Sequence, residues 1–118
     1  MSEDLRKKLL PKFRETTADR IEKIQAALLD LEKGAGAPDN VQELQRELHT
    51  LKGEARIMGF IGISQVVHAA EDLLKVVLAG TAPEGIDALL KCCDAIPPMI
   101  EAPADGGPEA AALVERLG

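Results

Sequence analysis

From Val41 to Met58 the apolar residues stand at Val41, Leu44, Leu48, Leu51, Ala55 and Met58, an unbroken alternation of steps of three and four. Only an α-helix brings such positions onto one face, because a strand needs steps of two. The same rhythm resumes after Gly59-Phe60-Ile61-Gly62, with Ile63, Val66, Ala70, Leu73 and Val77 on one face of a third helix that ends at Gly80. So short a connection forces these two helices to lie antiparallel, as a hairpin. That hairpin constrains everything else the chain can do.

Glycine and proline divide the remainder into further helical blocks. The first runs from about Leu5 to Lys33, with Leu9, Phe13, Ile21, Ile24, Leu28 and Leu31 at mostly helical spacing. Pro11 interrupts its start, so the long uninterrupted helix is expected to open there, with proline in its first turn. Asp39 followed by Gln42 resembles a capping box for the second helix, and Thr81-Ala82-Pro83-Glu84 one for the fourth. The fourth carries Ile86, Leu89, Leu90 and Ile96, and Pro97-Pro98 should end or kink it, since Pro97 removes a backbone donor. Residues 103–108 read as a linker before a short fifth helix. The expected helices are thus about 5–33, 39–58, 62–79, 83–100 and 108–117. Aromatic residues make up only 2%, with no Trp or Tyr, so the core must be aliphatic, which suits helix-on-helix packing. The expected fold is all-α: an antiparallel up-down four-helix bundle with a short fifth C-terminal helix, a single domain over residues 1–118.

A net charge of −6 argues against nucleic acid as the main partner. No apolar run approaches the ~20 residues a membrane-spanning helix needs, and nothing at the N-terminus reads as a signal peptide. Cys92 and Cys93 are adjacent, which suits neither a bridge nor a zinc site, and they read as packing residues. A cytoplasmic, reduced setting is expected.

The hairpin brings chemistry together. In an antiparallel pair, residues at one height have position numbers with a constant sum, and Leu44–Val77, Leu48–Leu73, Leu51–Ala70 and Ala55–Val66 share one total. His49–Glu71 and Lys52–His68 fall within one of it. At ~100° per residue, His49 and Glu71 each lie ~120° from the middle of their helix's apolar stripe, turned the same way. Both therefore emerge on one flank, within hydrogen-bonding reach. Glu71 shares a helical row with Val67, Leu74 and Leu78, where a carboxylate is costly unless satisfied. His49 shares a polar row with Gln45, Lys52 and Arg56, so one ring nitrogen can meet Glu71 while the other faces solvent. Such an arrangement fixes the tautomer and supports the cation that forms when imidazole attacks. Gly53, in mid-helix one turn beyond His49, costs ~1 kcal/mol relative to Ala. A bare patch there lets a partner's active site approach the nucleophile.

The stretch His49-Thr50-Leu51-Lys52-Gly53, followed by Gly59-Phe60, resembles the motif H-x-x-K-G-x-x-x-x-x-G-F of histidine phosphotransfer domains. His68-Ala69-Ala70-Glu71-Asp72-Leu73-Leu74 is similar to the H-x-x-E-x-L-L of the N-terminal domain of CheA-type chemotaxis histidine kinases. The likeness is strong over about residues 41–80. It implies that His49 is the phosphoacceptor, Glu71 its hydrogen-bond partner, and Lys52 and His68 members of one network, with Lys52 and Arg56 placed to meet phosphoryl oxygens. It implies a CheA-like kinase carrying ATP as donor, in the same chain or another, and a response-regulator receiver aspartate with Mg²⁺ as acceptor. No cofactor is expected in this chain, which has no glycine-rich nucleotide loop and no kinase domain and so should not use ATP by itself. The partner-docking residues are expected to be Gly53 and Arg56. The family usually has small residues after the glycine, whereas here stand Glu54-Ala55-Arg56. Glu54 projects ~140° around the helix from His49, so it is expected to bear on partner choice rather than chemistry.

Other readings remain open at this point. The domain could stand alone in a phosphorelay, or be a non-catalytic helical adaptor or dimerisation module with His49 an ordinary surface residue. Glu71 could simply pair with Lys52, and His68 could be an ordinary exposed histidine. Metal binding by His49, His68 and Glu71 is disfavoured, because paired ligands usually stand four apart on one helix.

Overall fold

A computed structural model of the protein describes residues 2–34, 38–80 and 84–101. Four helices follow in order: α1 (Glu3–Glu32), α2 (Pro38–Ile57), α3 (Ile61–Leu78) and α4 (Gly85–Ile100). Among the described residues there is no strand. The expected fifth helix lies outside them.

Each helix packs on the next, and α4 closes the ring against α1. The cross-links give the directions. Arg6 and Arg20 on α1 reach Met58 and Glu47 respectively, and Arg14 and Gln25 reach Glu101 and Asp94 on the α4 side. As one number rises the other falls, so α1 is antiparallel to both neighbours. The core is mostly aliphatic: Leu44, Leu51, Ala55, Ile63, Val66 and Met99 are among its fully buried members. Of the expected stripe on α2 all but half-buried Val41 are buried. On α1 the row runs through Phe13, Thr17, Ile21, Ile24 and Leu28, whereas Leu9 lies outside the core at 39% exposure.

The hairpin turn spans residues 58–60, one position earlier than the expected bounds place it. Gly59 takes φ +82°, which an L side chain resists. Its N–H bonds the Arg56 carbonyl at 3.1 Å while the Phe60 N–H bonds that of Ala55 at 2.8 Å. This pair of bonds is the Schellman ending, and α3 starts directly after Phe60.

Both α1 and α4 run through their prolines. α1 opens eight residues before Pro11, where the Ser2 hydroxyl accepts from the Leu5 N–H at 3.2 Å and Glu3 and Asp4 favour the first turn. The turns ahead of the proline are held from outside the helix. Arg6 Nε donates to the Met58 carbonyl at 2.7 Å and its guanidinium lies 4.7 Å above the Phe60 ring. Phe13 then stacks on Phe60, with ring centroids 5.3 Å apart. These contacts offset the lost backbone bond at Pro11, which faces solvent. α4 runs through Pro97 and Pro98 to Ile100, the end its expected bounds gave it. Both prolines lie on its exposed side, and burial of Met99 and Ile100 keeps the last turn helical.

The capping-box expectations also change. α2 begins at Pro38, whose missing N–H costs nothing in a first turn, so Asp39 sits inside the helix rather than capping it. α4 begins at Gly85, after Glu84, which makes no side-chain cap. Residues 81–83 lie outside the described segments. A Cβ at Gly85 would come within 2.5 Å of Val77 Cγ2, so the glycine lets α4 press against α3. Cys92 and Cys93 are unbridged and buried, and burial pushes their thiols up to about 11 and about 12. They stay protonated at neutral pH.

Candidate functional site

α2 and α3 share the largest interface of the bundle, and their common flank carries the cluster. His49 projects from α2 with its side chain 73% exposed, and its Nδ1 is 3.5 Å from Glu71 Oε2 on α3. That is charge-pairing distance but long for an N–H···O bond. The nearer partner of Glu71 is Lys52, whose Nζ is 2.9 Å from Oε1. Lys52 and Glu71 are each only 19% exposed. Oε1 is buried and receives no well-aligned hydrogen bond, so the ammonium compensates its charge without saturating it.

The geometry follows from the hairpin. One helical turn separates Lys52 from His49, so both reach across to the carboxylate of the antiparallel neighbour. Lys52 lies nearer the apolar stripe and enters the seam, while His49 remains outside it. Glu71 sits between buried Val67 and Leu74, and the lysine is what makes a carboxylate tolerable in that row.

Of the remaining sequence candidates, His68 is not drawn in. It is exposed, pairs with Asp72 at 3.6 Å on its own helix, and makes no hydrogen bond or ion pair with His49, Lys52 or Glu71. Its place on α3 points it to solvent, one turn from the seam. Arg56 is exposed in the last turn of α2 and has no side-chain partner among the described residues. Gly53 is exposed, and a Cβ there would meet nothing within 4 Å, so no neighbouring helix requires the glycine. Glu54 has a structural job instead: it accepts from Arg20 Nε at 3.1 Å, and Arg20 also bonds buried Glu47 at 2.7 Å. Its angle from His49 turns it toward α1.

Beside His49 a groove of about 330 Å³ runs between α2 and α3, lined by Gln45, Arg46, Leu48, His49, Glu71, Leu74 and Lys75. Sequence reasoning named neither Arg46 nor Lys75 for this flank. The pairing that sets His49 opposite Glu71 sets Gln45 opposite Lys75 one turn away, so the same count would have found the lysine. Among the described residues no group of three His, Cys, Asp or Glu side chains could hold a metal ion.

An exposed imidazole backed by a half-buried carboxylate can act as a nucleophile with its inner nitrogen held as the donor. Comparison with known proteins points the same way. The family model for the Hpt domain matches residues 8–98, which include every residue of the cluster. The chain belongs to the Hpt domain family. It is 49% identical over 102 residues to a gliding motility regulatory protein of Myxococcus xanthus, covering 85% of this chain and 13% of that protein. It is 36% identical over 118 residues to the chemotaxis protein CheA of Treponema pallidum, covering 92% of this chain and 14% of that one. The chain thus spans about one seventh of the length of these relatives. Its fold is similar to that of the phosphorylated P1 domain of CheA3, solved in complex with CheY6 from R. sphaeroides. The TM-score is 0.76 at 28% identity, covering 93% of this chain and 92% of that one. As an Hpt domain of the CheA P1 kind, this chain is a phosphotransfer module of two-component signalling. Among its described residues no helix is long and apolar enough to cross a membrane.

Proposed function

We propose that His49 takes a phosphoryl group at Nε2 from a CheA-like kinase domain and passes it to the aspartate of a response-regulator receiver. The observation that carries this reading is the exposed His49 ring, whose Nδ1 faces Glu71 at 3.5 Å and whose other nitrogen is left to solvent. A neutral ring with its proton on Nδ1 has its lone pair on Nε2. Attack on the γ-phosphorus of the donor's ATP forms an N–P bond as the P–O bond to ADP breaks. The ring becomes cationic, and the Glu71 carboxylate beside Nδ1 stabilises that charge. In the second step a receiver carboxylate oxygen attacks phosphorus, the P–N bond breaks, and the ring is neutral again. ATP belongs to the kinase domain and Mg²⁺ to the receiver, and neither needs a site in this chain.

Gly53 and Arg56 serve the docking of these partners. The glycine leaves the surface low beside the nucleophile, and Arg56 presents an exposed guanidinium on the same helix. Both partners are proteins of the cytoplasm, where this domain works. The test is incubation with a CheA-like kinase core and labelled ATP. Label that is lost in acid, survives base and is absent from His49→Gln is the expected result. Undiminished label on His49→Gln overturns the assignment.

A further inference from the structure

We propose that the groove beside His49 is an anion subsite in which Lys75 and Arg46 hold the oxygens of the phosphoryl group. This rests on His49 as the phosphoacceptor and assigns what receives its cargo.

Lys52 is the cation nearest the nucleophile, yet it is spent on Glu71 at 2.9 Å and sits largely buried in the seam. A phosphoryl group on His49 brings about two negative charges toward a carboxylate that is already there. Unless other cations face it, that carboxylate repels the group it helped to attach. Two do. Lys75 stands one turn beyond Glu71 on α3, and Arg46 one turn before His49 on α2, and both line the groove from opposite walls. Both are exposed, and neither has a carboxylate partner among the described residues. Of the acidic residues near Lys75 on its own helix, Glu71 four positions back is taken by Lys52 at 2.9 Å, and Asp72 three positions back faces His68 at 3.6 Å. Below them, Leu48 and Leu74 are buried and make an apolar floor that strengthens charge pairing above it. Lysine and arginine stems long enough to cross a helix–helix groove bring their heads to a group attached at the outer ring nitrogen.

Chemical phosphorylation tests this without a kinase. In a His68→Gln background His49 is the sole remaining histidine of the two in the chain. Phosphoramidate labels it: the Nε2–P bond forms as the P–N bond of the reagent breaks and ammonia leaves. The NMR resonance of the Lys75 ε-carbon is then titrated before and after labelling, which phosphohistidine survives because it is stable in base. The Lys75 ammonium is expected to titrate about half a unit higher once His49 is phosphorylated, while Lys7 and Lys91 stay put. The shift should shrink as salt is raised. Lys75→Gln should also take label about threefold more slowly, with Lys75→Arg restoring the rate and Lys75→Gln/Arg46→Gln slower still. A Lys75 titration unchanged by phosphorylation, or equal rates for the Gln and Arg variants, overturns the subsite. Failure of the phosphotransfer reading registers elsewhere, as absence of label at His49 from kinase and ATP.

Discussion

Along the seam between α1 and α2, Arg20 gives one hydrogen bond of 2.7 Å to Glu47 and another of 3.1 Å to Glu54. Across the flank of α2 and α3, Glu71 meets a lysine without good alignment and a histidine only at 3.5 Å. Both clusters join helices through carboxylates and cations, and both use α2. In the first, donors and acceptors match and the charges are turned inward. In the second a buried carboxylate oxygen is left partly unsatisfied beside a ring that stands in water. An ion cluster that only holds helices together gains by being complete. One that must stabilise a charge appearing later gains by keeping capacity in reserve.

The largest effect that tests this contrast is at the nucleophile. His49→Gln should abolish phosphorylation while leaving the thermal melt within a degree or two, because a side chain 73% exposed contributes little packing. Label on the variant, or a collapsed melt, would make the flank structural like the seam. Glu71→Gln should slow phosphorylation on the order of 10- to 1000-fold without abolishing it, since an amide can orient the ring but cannot balance its charge. A rate equal to that of the parent protein would mean that the carboxylate serves Lys52 alone.

Arg20→Met reverses the expectation. It leaves Glu47, only 8% exposed, without its cation, and should cost about 2 kcal/mol in denaturant unfolding. Phosphorylation by a kinase core, measured well below the melting temperature, should stay within about twofold of the parent, as the seam lies on the other side of α2 from the groove. A large loss of rate with little loss of stability would show that the two clusters are coupled through the helix.

The two regions also differ in how far the sequence reveals them. The flank is legible because a short turn fixes the register of α2 against α3, and the steps of three and four then set which residues are level. His49, Lys52 and Glu71 follow from counting. What counting does not supply is the order of preference within the cluster, with Lys52 closer than His49, because that depends on side-chain reach into the seam. It likewise set His68 level with Lys52 but not how far the side chain lies from the seam. The α1–α2 seam is illegible by the same means. Five residues separate the end of α1 from the start of α2, too many for counting to fix that register, and Arg20 looks like any charged residue on a long helix. The helical turns at Pro11 and Pro97-Pro98 are hard to read for another reason. Proline rules describe a helix by itself, whereas Arg6 on Met58 and Phe60, and the burial of Met99 and Ile100, hold these turns from outside.

The smallest effect separates docking from packing at Gly53. Glycine in mid-helix is entropically costly, and a Cβ there meets nothing within 4 Å, so Gly53→Ala should stabilise the domain by up to about 1 kcal/mol. If the glycine were needed for close helix packing, as Gly85 is against Val77, the same change would destabilise it. Gly53→Gln should also keep the fold, because its side chain enters solvent. It stands ~40° around the helix from His49 and one turn along, where a receiver must come down onto the phosphoryl group. Transfer to the receiver should therefore fall with the size of the side chain, from alanine to glutamine, at nearly constant stability. Labelling by phosphoramidate, which needs no docking surface, should be indifferent to either change. Equal transfer rates for all three residues at this position would place the docking face elsewhere on the bundle, and an early melt of Gly53→Gln would make the glycine a packing residue after all.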